Sequence, residues 1–258
     1  MTYALDDYYR LSEEDRKARL APSGIDLDDP ATWTDENCAR FEDLFPGYKA
    51  DFFLRHTYIP TFDGRGERKE EKIRIVLYRK DQYEMVSEIS YSETSYNGIR
   101  LKRGLGEEVW PEQPVNVEIY SFVFSNSDAK VLHIEDWNVS EAKSVMFLFK
   151  DNCSVEEIDM PGWIYPDKAR NNFTEPVHMG SMFSGCTKLK KLSFTTPRSC
   201  LYYSEGYIAN TVLRDCFKDC KNLEYVRFYH GSRYQDAYIE RIKEASEKEV
   251  EIVNDGTY

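Results

Sequence analysis

The chain has 258 residues, 31% of them charged and 41% hydrophobic, the balance of a folded globular protein rather than an intrinsically disordered one. Lys and Arg number 34 against 46 Asp and Glu, a net charge of −12 at pH 7. That argues against direct nucleic-acid binding, which needs a basic surface to displace counterions, and against attraction to anionic lipid.

The first residues, Met1–Asp7, carry neither the basic nor the apolar stretch of an export signal. A cytoplasmic protein with reduced thiols is therefore expected, or an extracellular one if the sequence is a trimmed form. Ser12 and Asp15 stand three apart, as in a capping box, and predict a short helix ending near Leu20. Thr34 is the expected N-cap of a second helix over Asp35–Phe45, with Trp33 and Cys38 as a hydrophobic staple and Pro46-Gly47 as its stop.

From about Thr57 the pattern turns to strands. Ile73, Ile75 and Leu77 alternate, Asp63–Lys72 reads as a charged exposed loop, and Asn97-Gly98 is the dipeptide of a two-residue hairpin turn. Val115, Val117 and Ile119 alternate again and run into Tyr120–Phe124. Gly104-Leu105-Gly106 lacks both the third glycine of a dinucleotide fingerprint and the Lys-Ser/Thr of a phosphate loop. His56, His133, His178 and His230 are scattered. An active site in this half would have to be assembled in space from unmarked residues, such as a pair of carboxylates.

The second half repeats. Phe149, Phe183 and Phe217 recur at a constant interval of 34, each followed by Asn or Cys three residues later and by apolar residues six, nine and eleven later. Val145, Met179 and Leu213 stand four before. A degenerate first copy is read from Val123, with Asn126, Ala129, Leu132 and Ile134 in the matching slots. The stretch before each Phe suits a short helical turn. The alternating apolar pair after it suits a half-buried strand. Such a unit buries its apolar side only against further copies. Cys186 and Cys220 share one slot and are expected to be buried structural thiols. The larger spacing of the later copies places aromatic inserts at Trp163–Thr174 and Pro197–Gly206. Tyr234–Lys248 reads as a capping helix, followed by a final strand around Val250 and Ile252.

Val177–Leu192, with Met179, Met182-Phe183 and Gly185-Cys186 ahead of Leu189 and Leu192, resembles the BspA-like leucine-rich-repeat family in its mycoplasma-lipoprotein-type variant. Asp136-Trp137-Asn138-Val139-Ser140 resembles that family's turn. The resemblance covers about Val123–Phe228 and implies a right-handed solenoid that binds proteins or other surface ligands without catalysis.

The expected fold class is α+β. A mixed helix and antiparallel-sheet domain over residues 1–120 is followed, over residues 121–258, by a short leucine-rich-repeat-like α/β solenoid with a C-terminal helix–strand cap. The expected function is non-enzymatic binding of another protein, with no cofactor and no metal. Alternatives are an enzyme with an unrecognised site in the N-terminal half and an acidic inhibitor filling a partner's nucleic-acid groove. Strand alternation sends three ladders to an open face: Val131, Glu157, Lys191 and Tyr225; His133, Asp159, Ser193 and Arg227; Glu135, Pro161, Thr195 and Tyr229. Lys191, Tyr225, Arg227 and Tyr229 are the expected centre of the partner site, with Glu157 and Asp159 beside them and Trp163 and Tyr202 on the inserts. The competing expectation is that the N-terminal domain folds over this face.

Overall fold

A computed structural model describes residues 8, 11–59, 67–91, 94–114, 120–125, 127–139, 144–160, 179–195, 204–229 and 235–255. The chain divides into two compact units, Met1–Ile99 with Pro114–Val117, and Arg100–Gln113 with Glu118–Tyr258. Secondary structure is mixed α/β: one six-stranded parallel sheet and two two-stranded pairs. No helix among the described residues is long and apolar enough to cross a membrane.

In the first unit, α1 (Glu13–Leu20) starts where Ser12 accepts the Asp15 N–H at 3.1 Å and donates its hydroxyl to the Asp15 carboxylate at 2.6 Å. The α2 helix (Asp35–Leu44) is capped by Thr34, whose Oγ1 accepts the Asn37 N–H at 3.1 Å. Strand β1 (Tyr48–Ile59) pairs antiparallel with β2 (Glu67–Arg79). Tyr8, Phe41 and Phe45 meet edge-on or tilted at 5.1–5.4 Å between ring centres. Trp33, Leu20, Ile75 and Leu77 complete that core. Burial pushes the Tyr8 hydroxyl up to about 12, and the Arg16 guanidinium, 4.9 Å from its ring centre, opposes the shift.

Three expectations for this unit change. Strand structure begins at Tyr48, nine residues before the alternation becomes visible at Thr57. The charged stretch is not all loop, because Glu67–Lys72 belongs to β2 and pairs with Leu54–Ile59. Backbone pairing requires no apolar side chains, and the register sets Arg55 opposite Glu71. Asn97-Gly98 does not turn the chain: it lies inside β4 (Thr94–Leu101), which pairs with β3 (Tyr83–Tyr91). The strand expected over Val115–Ile119 and the side chain of His56 lie outside the described residues.

In the second unit the six strands lie in chain order: β5 (Glu108–Val109), β6 (Val131–His133), β7 (Glu157–Met160), β8 (Lys191–Phe194), β9 (Tyr225–Phe228) and β10 (Glu251–Asn254). All five pairings are parallel and in register, so Glu108, Val131, Glu157, Lys191, Tyr225 and Glu251 form one row. The next row inward, Leu132, Ile158, Leu192 and Val226, has no solvent exposure. The short α3 (Glu205–Tyr207) and a single π turn (Ile208–Val212) lead into the last repeat. After β9, α4 (Gln235–Ala245) buries Tyr238 and Ile242 against this core.

The segment before each strand is not a helical turn. In an α-helix every N–H reaches four residues back along its own chain. Here alternate residues divide the work. Leu148, Lys150 and Asn152 donate three residues back, to Val145, Phe147 and Phe149. Phe147, Phe149 and Asp151 donate sideways, to Gly180, Met182 and Ser184 of the next copy, at 3.2, 2.9 and 2.8 Å. Ser181, Phe183 and Gly185 repeat this toward Arg214, Cys216 and Lys218 at 2.9, 2.9 and 2.8 Å. The alternation requires left-handed backbone on either side of the Phe, seen at Phe147 and Asp151, Ser181 and Gly185, and Asp215 and Asp219.

The stack also corrects the first copy. The rings of Phe124, Phe149, Phe183 and Phe217 lie in a column, nearly parallel and 5.1–5.5 Å apart. Phe124 takes the place assigned to Val123, because its N–H donates to Leu148 as that of Phe149 donates to Met182. Leu132 still pairs with Ile158, so the first copy is one residue shorter between ring and strand. The carbonyls of the first three Phe each accept a side-chain donor from the following copy: Asn152 Nδ2 to Phe124 at 3.0 Å, Cys186 Sγ to Phe149 at 3.2 Å and Cys220 Sγ to Phe183 at 3.1 Å.

Candidate binding face

The outward rows follow from the in-register pairing. Inward Leu132, Ile158, Leu192 and Val226 force their neighbours outward, since successive residues in a strand point to opposite faces. Five strand spacings of about 4.8 Å make the face about 24 Å wide. Glu157, Lys191 and Tyr225 lie side by side in one row, and Asp159, Ser193 and Arg227 in the next. Lys191 Nζ lies 3.4 Å from Glu157 Oε2, and the Lys191 side chain is 55% exposed. Arg227 pairs with the Asp255 carboxylate, and its guanidinium lies 4.9 Å from the centre of the Tyr229 ring. Lys191, Tyr225, Arg227 and Tyr229 are thus all solvent-accessible to some degree and come from two adjacent strands and the end of the second.

Thr195, expected on this face, is only 6% exposed. Trp163 and Tyr202, with Asn126, Ser140, Pro161, Tyr165, Phe173, His178, Tyr203 and His230, lie outside the described residues.

Charge is unevenly spread. Toward β5 the face carries Glu108, Glu135, Glu157 and Asp159, its middle carries Lys191 and Arg227, and its β10 edge carries Glu251 and Asp255. Burial, with Glu135 and Glu157 nearby, raises the Asp159 carboxyl above its ordinary range, and hydrogen bonds from Ser193 and Tyr229 pull it back. Tyr229 is itself raised, by burial and by the Asp159 charge. Asp159 Oδ1 and Glu135 Oε2 are both shielded from solvent with no donor among the described residues.

At the β5 edge, Trp110 is 59% exposed and stacks flat on His133, with ring centres 4.3 Å apart. His133 Nε2 lies 2.8 Å from Glu108 Oε1 and Nδ1 lies 3.7 Å from Glu135 Oε1. Sequence reading missed Trp110 and Glu108. The alternation of Glu108, Val109 and Trp110 was the available signal, but it is only three residues long. Among the described residues no group of three His, Cys, Asp or Glu side chains is arranged to hold a metal ion.

Comparison with protein-family models, with curated proteins and with solved structures returned no match to the chain.

Proposed function

We propose that the chain is a non-enzymatic binding protein that grips another protein with the open face of its parallel sheet. The observation that carries this reading is the mixed outward ladder, with carboxylates clustered toward β5, then Lys191, Tyr225, Arg227 and Tyr229 side by side, and acids again at β10. A sheet that served only to cover a core would need no such ordering. Paired opposite charges across an interface fix orientation and raise the association rate, and Tyr and Arg are enriched where binding energy concentrates. The partner surface is expected to present Lys or Arg opposite the exposed carboxylates of Glu108, Glu135 and Glu157. In this reading the second unit is a short leucine-rich-repeat-like α/β solenoid related to the BspA-like repeats. The column of Phe rings and the lateral backbone bonds support it, because each copy completes its neighbour. Buried thiols that donate to carbonyls suit a reducing, cytoplasmic setting.

The test is a Tyr225→Ala, Arg227→Ala double variant, compared with wild type in affinity capture from the native host and then in titration against the captured partner. Hot-spot truncations cost about 2 kcal/mol or more each, so affinity should fall at least about 30-fold. The melting temperature should stay unchanged, because both side chains lie outside the core. Undiminished binding refutes the assignment.

A further inference from the structure

In the turn segments before the strands, lateral backbone hydrogen bonding runs in one direction. Phe124 donates to the second copy, the second copy to the third and the third to the fourth. The acceptor end of the series is closed, where the Leu101 N–H donates to Val123 at 2.7 Å. The donor end is not. Cys216, Lys218 and Cys220 bond back to Leu213, Asp215 and Phe217, but the N–H groups of Asp215, Phe217 and Asp219 find no acceptor among the described residues. The same three positions are satisfied sideways in both preceding copies. Beyond β9 the sheet gains β10, yet among the described residues the turn ladder gains no further segment, and α4 stands across from its last turn. Between them lies a groove of about 610 Å3, lined by Leu213–Asp219 on one wall and by Arg241 and Glu244–Glu247 on the other.

We propose that this groove docks a peptide segment of a partner protein, which lays alternate carbonyls against the N–H groups of Asp215, Phe217 and Asp219. This is a second surface, independent of the open sheet face. The occupant's chemistry is set by what fills the same position inside the fold. There the donors at Ser181, Phe183 and Gly185 meet carbonyls two residues apart, and a Cys or Asn side chain four residues beyond the central carbonyl returns a hydrogen bond to the Phe. A docked segment with Asn, Ser or Cys at that spacing would serve the Phe217 carbonyl in the same way. The groove's charges point away from an anion. Arg214 lies 3.9 Å from Asp215, Lys221 3.2 Å from Glu247 and Arg241 2.8 Å from Glu244, so these cations are matched by acids. Neutral carbonyls at two-residue spacing fit three N–H donors in a charge-balanced groove.

The experiment uses the full chain labelled with nitrogen-15. In the free protein the amides of Asp215, Phe217 and Asp219 should exchange with solvent at least tenfold faster than those of Cys216, Lys218 and Cys220. Equally slow exchange would mean that the edge is already filled, and would overturn the proposal. A displayed random peptide library is then panned against the chain. Selected peptides should shift and protect those three amides. Affinity should fall at least tenfold in Ala245→Arg, or in Ala209→Trp if the first variant folds poorly. The Tyr225→Ala, Arg227→Ala variant should bind the peptides normally, which separates this surface from the sheet face. Failure to enrich peptides, perturbation confined to other residues, or a response of the three amides to inorganic phosphate alone refutes it.

Discussion

Cys186 illustrates how much one side chain does in this stack. It is fully buried, it donates to the Phe149 carbonyl, and burial pushes its thiol far above the ordinary value. Cys220 is held up to about 12 by the same cause, and Cys216 is raised as well. Thiolate is the reactive form, so these three should resist a thiol reagent in the native chain and label only on unfolding. Exposed Cys153 should label at once. Mass mapping of labelled peptides checks this, and rapid native labelling of Cys186 or Cys220 would overturn it. Gly185 carries a different constraint. Its φ is +79°, and a Cβ there would stand 2.5 Å from Asp151 Oδ1 and 3.1 Å from the Asp151 Cα. Gly185→Ala should cost about 1–2 kcal/mol from the left-handed backbone alone, more if Asp151 cannot retreat, as read by urea unfolding. Asp159 adds a pH signature. Its carboxyl is raised, so ionisation opposes folding above the folded-state value, and the penalty is relieved as pH falls through it. Asp159→Asn should therefore raise the melting temperature at pH 7. The gain should fade as pH falls through the folded-state value and be gone below the unfolded-chain value of about 3.9. A gain that grows in acid would contradict the sign.

At the scale of elements, the ring column is the feature most open to test. Phe183→Ala should cost about 3–5 kcal/mol, and Phe124, Phe149 and Phe217 should behave alike, whereas a loss under about 1 kcal/mol at two of them would mean the column is incidental. Including Phe124 rather than Val123 follows from the structure. The strand slots of that copy were legible because apolar alternation survives the missing residue. Its ring slot was not, because a gapless alignment had to place the deletion somewhere. The α1 and α2 starts were legible because side-chain caps are local chemistry. The sideways-bonded turns were mistaken for helix because their apolar spacing of four and one mimics a helical face. The left-handed residues that distinguish them include Phe147 as well as the more permissive Asp and Gly. A stack of Phe122 on Phe147, with ring centres 5.0 Å apart, helps offset that strain. Asn97-Gly98 failed as a turn signal because dipeptide preference yields to strand pairing when the flanking residues continue a ribbon.

Across the second unit, strands that follow one another in sequence are neighbours in the sheet, and that regularity makes the first two outward rows legible in the sequence. What could not be read was the burial of Thr195, nor the carboxylate cluster that β5 enlarges and the unmatched donor edge, since the last two depend on where the stack begins and stops. The carboxylate cluster predicts a salt-dependent association rate: the on-rate for the sheet-face partner should fall several-fold between about 50 and 200 mM salt, as electrostatic steering is screened. An on-rate indifferent to salt would argue that this cluster plays no part in encounter.

The one-way lateral bonding bears on how the chain is made. Synthesis proceeds from the N-terminus, and each copy's sideways donors await carbonyls that the ribosome has not yet delivered. A nascent or prematurely truncated chain therefore ends this ladder in N–H groups, whichever copy it stops at. Two such unfinished ends cannot join through this ladder, because donors do not pair with donors.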